Sequence, residues 1–453
     1  MKIFLIGIGG IGMQGLAQLY YEKGYQVAGS DMADFPERKA LEEKGIKIYI
    51  GHDEKHIDRD LDLVIYSAAI PSNNPELKKA YSLKLKVLRR SEALGELMKD
   101  KVGIAVAGTH GKTTTATMIS QMLEGADFSP TVVIGAEVKS IRGCARLGQG
   151  KFMVAEACEY DRSFLDLKPQ IAVITNIEPD HLDYYKNLEE IRDAFGDFIK
   201  RLPPDGLVVA FGDDPSVREV VDKLRPALFY GEDVKNDLVL RLGVLEGGKN
   251  HFSLKASDSS LAIDTFIRTP GKHIALDAAA AAAVAWQLGI APAVIKKALE
   301  NLGGIRRRFE IIQPGPLTII DDYGHHPTEI SQTLDAAKKL FLGRRLIVVF
   351  QPHQFSRTKF LLKDFGKSFG EADLVIVAPI WAVRDKEEDK RSVTTQDLVT
   401  EINRFSHNAR LGSNFKEIKD FLKKEAKPGD VIITLGAAKT NILAQELKQV
   451  LSQ

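Results

Sequence analysis

Residues 103–114 read GIAVAGTHGKTT, and the order of residue types in that stretch decides the fold. Residues 103–107 are apolar or glycine without alternation, as in a strand buried on both faces of a sheet. Gly108-Thr109-His110-Gly111 breaks the run, and Lys112-Thr113-Thr114 opens a helix. A strand, a glycine loop and a helix in succession aim free backbone N–H groups at the positive helix end, where a phosphate chain sits. Lys112 supplies a cation for the β- and γ-phosphates, and the Thr113 hydroxyl a ligand for Mg²⁺. Against the pattern G-x-x-x-x-G-K-[ST], Val106 stands at the first glycine and the loop glycine is Gly108. The strand–loop–helix context still predicts ATP or GTP binding.

The same alternation extends outward from this loop. Short apolar runs at 2–6, 63–66, 171–175, 346–350, 374–377 and 431–434 alternate with helical patterns such as 191–200 and 329–340. That is the signature of βαβ units and an α/β fold with parallel sheets. The alanine run at 278–283 predicts a helix lying close to a sheet, with no chemistry. With 453 residues the chain is long enough for about three domains at ~150 residues each. Composition shifts put boundaries near 99–101 and after Arg306-Arg307-Arg308, before a strand at 317–320. The mixed-charge stretch 385–391 reads as a solvated loop.

Lys+Arg 62 against Asp+Glu 61 gives a net charge of +1, so no global field holds the chain on nucleic acid or an anionic membrane. Two cysteines, Cys144 and Cys158, are too few for a disulfide framework or a cysteine-based zinc site. The opening MKIFLIGIGGIG is too glycine-rich for a signal peptide, and no run of ~20 apolar residues appears. A cytoplasmic protein is expected.

Three further groups carry chemistry. Gly7-Ile8-Gly9-Gly10-Ile11-Gly12 follows the first strand and predicts a diphosphate site, with Asp31 after the second strand where a ribose-binding carboxylate stands. Glu156, Glu159 and Asp161 close the apolar run 152–155, and Thr175-Asn176-Ile177-Glu178-Pro179-Asp180-His181 closes another. Carboxylates and an imidazole at neighbouring strand ends suit a hard cation beside the phosphate loop. In the last third, residues 321–329 (DDYGHHPTE) and 351–357 (QPHQFSR) follow apolar strands and predict one cleft, where Arg357 pairs with a substrate carboxylate.

Together these segments resemble the Mur ligases of bacterial cell-wall synthesis over essentially the whole chain. GIGGIG, AGTHGKTTT, EACEYDRSF, TNIEPDHLD, PGKH, RRFE, DDYGHHPTE and QPHQFSRT carry the resemblance. It implies three α/β domains: a Rossmann-like one at 1–98 for a UDP-sugar, a central P-loop ATPase sheet at 99–309, and a C-terminal Rossmann-like one at 310–453 for an amino acid. It implies ATP and Mg²⁺ as cofactors and, through the alanine-adding branch, UDP-N-acetylmuramate and L-alanine as substrates. A monomer or weak homodimer without nucleic-acid or membrane partners is expected.

By the same resemblance, Gly9, Gly10, Gly12, Asp31 and Ser67 belong to the UDP-sugar site. Gly108, Thr109, His110, Gly111, Lys112, Thr113, Thr114, His273 and Arg308 belong to the ATP site, with His273 beside the adenine and Arg308 on a phosphate. Thr113, Glu156 and His181 would hold the metal, and His325 and Arg357 would face the substrate carboxylates; Lys112, His181, Arg308, His325 and Arg357 form the expected catalytic set. Three departures stand out. Ile274 and Asp277 occupy places where the family often has asparagines, and Gln354 replaces a usual arginine. Residues 194–197 (AFGD) lack the lysine that many relatives carry, a lack shared by the alanine-adding branch. An NAD-dependent oxidoreductase is the rival enzyme, but it leaves the second phosphate loop unexplained. A non-hydrolytic nucleotide-binding protein leaves the carboxylate-binding residues unexplained. A ligase that reattaches a recycled tripeptide is the nearest alternative.

Overall fold

Apolar runs without alternation become buried parallel strands, and three such sheets are strung along the chain. The computed structural model describes residues 1–138, 141 and 143–451. The first sheet holds β1 (Lys2–Ile6), β2 (Gln26–Asp31), β3 (Lys47–Ile50), β4 (Leu63–Tyr66) and β5 (Val87–Arg89), all parallel, in the order β3-β2-β1-β4-β5. The chain leaves β1 toward β2 on one side and later returns to β4 on the other. A crevice therefore opens at the carboxyl ends of β1 and β4, where ligands of such sheets bind.

The second sheet has ten strands: β6 (Val102–Ala107), β7 (Thr131–Val138), β8 (Gly143–Arg146), β9 (Phe152–Glu156), β10 (Ile171–Ile174), β11 (Leu207–Phe211), β12 (Leu228–Gly231), β13 (Leu238–Glu246), β14 (Lys249–Ala256) and β15 (Ala262–Ile267). Their order is β15-β14-β13-β12-β11-β10-β6-β9-β7-β8. β6 lies between β10 and β9, so the loops after these three strands meet at one edge. The third sheet holds β16 (Glu310–Gln313), β17 (Thr318–Asp322), β18 (Leu346–Phe350), β19 (Leu374–Val377), β20 (Ala409–Leu411) and β21 (Val431–Leu435), in the order β16-β17-β21-β18-β19-β20. β21 runs parallel between β17 and β18, so their ends share one rim.

The helix Lys272–Gln287 contains the alanine run, and Ala278 to Ala283 are all fully buried. It packs on the helix Lys112–Gly125, which follows the phosphate loop. The small side chains let the two backbones approach, which is the packing role expected of them.

Apolar cores join the domains unequally. Ile3, Leu5 and Leu16 share one buried cluster with Val133, Ala145 and Phe164, so the first and second sheets are fused through a common core. The third sheet keeps its own two clusters, one on each face. It meets the central sheet largely through polar side chains.

Two sequence expectations need adjusting. The strand placed at 317–320 runs over Thr318–Asp322, and its two aspartates are buried in it. Asp321 Oδ2 accepts from Arg307 Nε at 3.1 Å, and Asp322 accepts from the Phe309 and Gly324 amides at 2.7 Å each. These bonds compensate for burial that an apolar pattern cannot predict. Within 385–391, Asp385 is no free loop charge. Its Oδ1 accepts the Phe355 and Ser356 amides at 2.9 and 3.1 Å, while Glu387–Lys390 forms a single exposed helical turn.

Candidate active site

In the first domain the glycine loop joins β1 to the helix Ile11–Glu22. Asp31 Oδ2 accepts the Gly9 amide at 2.8 Å, and Gly10 N donates to Gly7 O at 3.3 Å. The carboxylate read as a ribose ligand thus holds the loop, and the Gly9 amide is already committed. The next turn faces a cation: a methyl group on Gly12 would lie 3.1 Å from Arg90 Nη1. Ser67 follows β4 across the crevice, where its Cβ would sit 3.1 Å from a methyl on Gly7. Arg90 carried no sequence motif, because its place at the helix end comes from packing.

The phosphate loop is built as its glycines require. Gly108 has φ +140°, and a Cβ there would come within 1.9 Å of Thr175 Oγ1. Gly111 has φ +81° and N-caps the helix Lys112–Gly125, and a Cβ there would meet Asp277 Oδ1 at 2.3 Å. Glycine alone fits both places. Asn176 fixes the loop, its Oδ1 accepting the His110 amide at 2.8 Å and its Nδ2 donating to His110 O at 3.2 Å. Lys112 Nζ folds back to Gly108 O and Thr109 O and lies 3.0 Å from Glu159 Oε2. Burial pulls its pKa down, but the Glu159 carboxylate overrides that and raises it to about 12, so it stays a cation.

Glu156 ends β9 and its carboxylate accepts the Gly135 amide. His181, at φ +53°, turns Nε2 toward Glu159 Oε1 at 3.5 Å. Its Nδ1 is buried without a hydrogen-bond partner among the described residues. Glu159 is itself buried, and Lys112 and His181 hold its pKa below the ordinary value against the pull of desolvation.

The third domain reaches this edge through a polar seam. His110 Nδ1 lies 3.1 Å from Glu329 Oε1, and Nε2 lies 3.6 Å from Glu178 Oε2. Burial opposes its charge, yet the two carboxylates raise its pKa to about 10 and keep it an imidazolium. Thr328 Oγ1 donates to Glu178 Oε2 at 2.6 Å, and His326 Nε2 lies 3.2 Å from Pro179 O. Arg308 stands over the ring of Tyr323 at 5.1 Å, with Nη2 3.5 Å from Thr113 Oγ1. His325 is half-buried beside Tyr323 and His353; desolvation lowers its pKa to about 3, so it is neutral.

Arg357 departs from its sequence reading. It is 5% exposed, with Nε and Nη2 donating to Asp180 Oδ1 at 2.9 and 2.8 Å and Nη1 3.1 Å from His353 Nδ1. A carboxylate of the neighbouring domain already occupies the fork meant for substrate. Gln354 is buried at φ +71°, and its side-chain Nε2 donates to Val383 O at 3.2 Å. It holds the 379–385 loop and offers no anion contact.

Two cavities flank the phosphate loop. One, about 480 Å³, is lined by Tyr230, His273, Ile274, Asp277 and Phe309. The other, about 500 Å³, is lined by residues of all three domains, among them Glu37, Lys112, Thr113, Glu156, His181 and His325. His110, Gly111, Arg308 and Glu329 belong to both walls. The two cavities therefore adjoin at the phosphate loop, beside Arg308.

Comparison with known proteins accounts for this arrangement. The model of the Mur ligase family, catalytic domain, matches residues 2–102; that of the Mur ligase middle domain matches 106–285; that of the Mur ligase glutamate ligase domain matches 307–438. The UDP-N-acetylmuramate–L-alanine ligase of Acetivibrio thermocellus is 42% identical over 442 residues, covering 96% of this chain and 93% of that protein. The same-named ligase of a Sulfurihydrogenibium species is 39% identical, covering 100% and 98%. The chain belongs to the Mur ligase family. The crystal structure of UDP-N-acetylmuramate-alanine ligase from Thermotoga maritima superposes on this Mur ligase with a TM-score of 0.84 at 28% identity, covering 100% of this chain and 99% of that one. A murein peptide ligase from Psychrobacter arcticus gives 0.77 at 25% identity, covering 100% and 99%.

Membership makes this Mur ligase an ATP-dependent enzyme and a three-domain α/β protein. Among its described residues no helix is long and apolar enough to cross a membrane. Site residues absent from the sequence-derived set are Arg90, Asp180, Asp277 and Glu329. Asp180 and Glu329 sit inside the quoted motifs, but their partners lie on other strands. Asp277 was visible only as a departure from asparagine. In the structure desolvation raises its pKa to about 8, against the pull of Arg308, so the buried side chain is a neutral acid near pH 7.

Proposed function

We propose that this Mur ligase joins the amine of L-alanine to the carboxylate of UDP-N-acetylmuramate at the expense of ATP, in peptidoglycan precursor synthesis. The observation that carries the reading is the pair of cavities sharing His110, Gly111, Arg308 and Glu329. ATP in the His273-lined cavity would extend its γ-phosphate under Lys112 and Arg308. The muramyl carboxylate would approach from the three-domain cavity. In this division residues 1–98 take the UDP-sugar, 99–309 the ATP and 310–453 the amino acid. The nucleotide substrates place the reaction in the cytoplasm.

A carboxylate is a poor electrophile, because attack on it must expel an oxide. Transfer of the γ-phosphoryl group onto the muramyl carboxylate gives an acyl phosphate, with ADP leaving. The amine of alanine attacks the acyl carbon, and the tetrahedral adduct collapses to amide and inorganic phosphate. The barrier lies in bringing two anions together, which costs about 4 kcal/mol per unit-charge pair at 4 Å and an effective dielectric of 20. Lys112 and Arg308 offset that repulsion at the transferring group.

Thr113, Glu156 and His181 fit a divalent cation: a hydroxyl, a carboxylate and an imidazole whose Nδ1 is buried without a partner among the described residues. Mg²⁺ held there would neutralise charge on the phosphates. Arg357 serves the reaction through Asp180, which it ties across the seam, rather than by touching the amino acid.

ADP release with UDP-N-acetylmuramate and a panel of amino acids tests the reading. L-Alanine is expected to be fastest, with glycine or L-serine weaker, since one methylene discriminates by only ~1–3 kcal/mol. Faster turnover with the L-alanyl-D-glutamyl tripeptide would reassign the chain to the recycling ligases.

A further inference from the structure

The acidic segment after β9 contains one of the two cysteines, and the ligase reaction gives it no task. Cys158 lies in the wall of the three-domain cavity, between Glu156 and Glu159 in the chain. We propose that Cys158, Glu159 and His181 form a metal site of their own, which takes a thiophilic divalent cation of the zinc class and blocks the ligase when filled.

The geometry carries this. One donor atom from each of the three side chains lies within 4.8 Å of the others. His181 Nε2 and Glu159 Oε1 are 3.5 Å apart, near the edge of about 3.3 Å that ligands at roughly 2.0–2.1 Å make around a tetrahedral zinc. Glu159 divides its oxygens: Oε2 is the nearer to Lys112, at 3.0 Å, while Oε1 faces His181. Cys158 and His181 also line the three-domain cavity, and a set of three protein donors beside a cavity matches an open zinc site rather than a closed structural one.

The donors are also held in place. Phe164 N and Ser163 Oγ both donate to Cys158 O at 3.0 Å, and the Tyr185 hydroxyl donates to Glu159 O. Two of the three ligands therefore start from an anchored backbone, which lowers the ordering cost of binding.

The donor set selects the metal. A thiolate and an imidazole are ligands of zinc or cobalt, whereas Mg²⁺ prefers oxygen and keeps its water. On binding, the thiol proton leaves to solvent as the sulfur–metal bond forms, with no change of oxidation state. Cys144 is the natural control, because its thiol donates to Ile11 O at 3.4 Å and it belongs to no such donor group among the described residues. Inhibition, unlike binding, rests on the proposed function. The site shares His181 with the Mg²⁺ reading and Glu159 with Lys112, so a bound zinc ion would take both from the phosphate chemistry.

The test uses the full-length enzyme without nucleotide, titrated with Co²⁺ as wild type, Cys158→Ser, Cys158→Ala and Cys144→Ser. Wild type and C144S are expected to develop the intense near-ultraviolet sulfur-to-cobalt charge-transfer band. Both Cys158 variants should lack it. In ADP-release assays at fixed Mg²⁺, each normalised to its own zinc-free rate, the Cys158 variants should need at least tenfold more Zn²⁺ for half inhibition. A band that persists in both Cys158 variants, disappears in C144S or never forms in the wild type overturns the site. Equal zinc sensitivity in all four proteins overturns its inhibitory role. Cobalt binding needs no turnover, so failure of the proposed function leaves the spectroscopic answer intact.

Discussion

At the scale of single residues, charge decides the chemistry. Lys112 is the cation closest to the phosphate loop backbone, held ready by Glu159. Lys112→Ala should lower ADP formation by 10²–10³-fold, the ~3–4 kcal/mol typical of a lost transition-state donor. Its far-ultraviolet circular dichroism should stay unchanged. Asp277 gives a prediction in pH. The buried carboxyl keeps its proton up to about pH 8, whereas the unfolded chain releases it near the ordinary value of 3.8. Stability therefore falls as pH rises between those values, by about 1.4 kcal/mol per unit at most, and stays reduced above them. Asp277→Asn does not titrate and keeps the shape of the side chain. Its melting temperature should exceed that of wild type by a margin that widens from pH 4 to pH 8. A margin constant across that range would show that Asp277 is ionised in the folded protein.

At the scale of elements, the phosphate loop depends on two glycines whose reasons differ from each other. Gly111 caps a helix in the left-handed region, a role readable from its place before Lys112. Gly108 is needed because Thr175, on another strand, fills the space where a side chain would go. Gly108→Ala should cost about 1–3 kcal/mol in backbone strain alone. It should weaken ATP binding at least tenfold in calorimetry while a distant event, binding of UDP-N-acetylmuramate to the first domain, is retained. The strand Thr318–Asp322 makes the same point about legibility. Its apolar start announced a strand, but burial of Asp321 and Asp322 needed Arg307, Phe309 and Gly324 from outside it.

At the scale of the whole molecule, a fused pair of domains carries a third through a polar seam. The seam should fail in acid, because all but one of its shifted groups lose stabilisation as pH falls. Desolvation lowers His273 and His353 to about 4 and His325 to about 3, so the folded state refuses protons that the unfolded chain accepts near pH 6.5. Asp180 and Glu329, despite the upward pull of burial, are held well below their ordinary values by neighbouring cations, so their contribution is lost as pH falls through the carboxylate range. His110 acts on the other side: its stabilisation is complete below pH 6.5 and fades as pH climbs toward 10. Lowering the pH from 6.5 toward 4 should therefore undock the third domain reversibly, seen as a larger radius of gyration in small-angle scattering before secondary structure is lost. Arg357→Ala should mimic this at neutral pH. It leaves the buried Asp180 without its arginine, a loss of about 3–5 kcal/mol, and should lower the melting temperature sharply. If Arg357→Ala instead raises only the KM for alanine, the arginine contacts the amino acid directly.

By itself the sequence determined the class of fold and where each glycine turn falls between a strand and a helix. Both are written in neighbouring residues: apolar runs without alternation make buried strands, and glycine, lysine and threonine in order make a helix-capped phosphate loop. It also specified the packing role of 278–283, because a run of alanines admits a close helix and little else. Tertiary structure alone decided which charges are free. Asp31 and Arg357 have the type and position of substrate ligands, and the fold sets the Gly9 amide against the one and the Asp180 carboxylate against the other. Arg90 had no motif and came to a helix end through the packing of its own helix. Partner choice among charged groups is set by distance in space and by the loss of water on burial. Neither is encoded in any one segment of the chain.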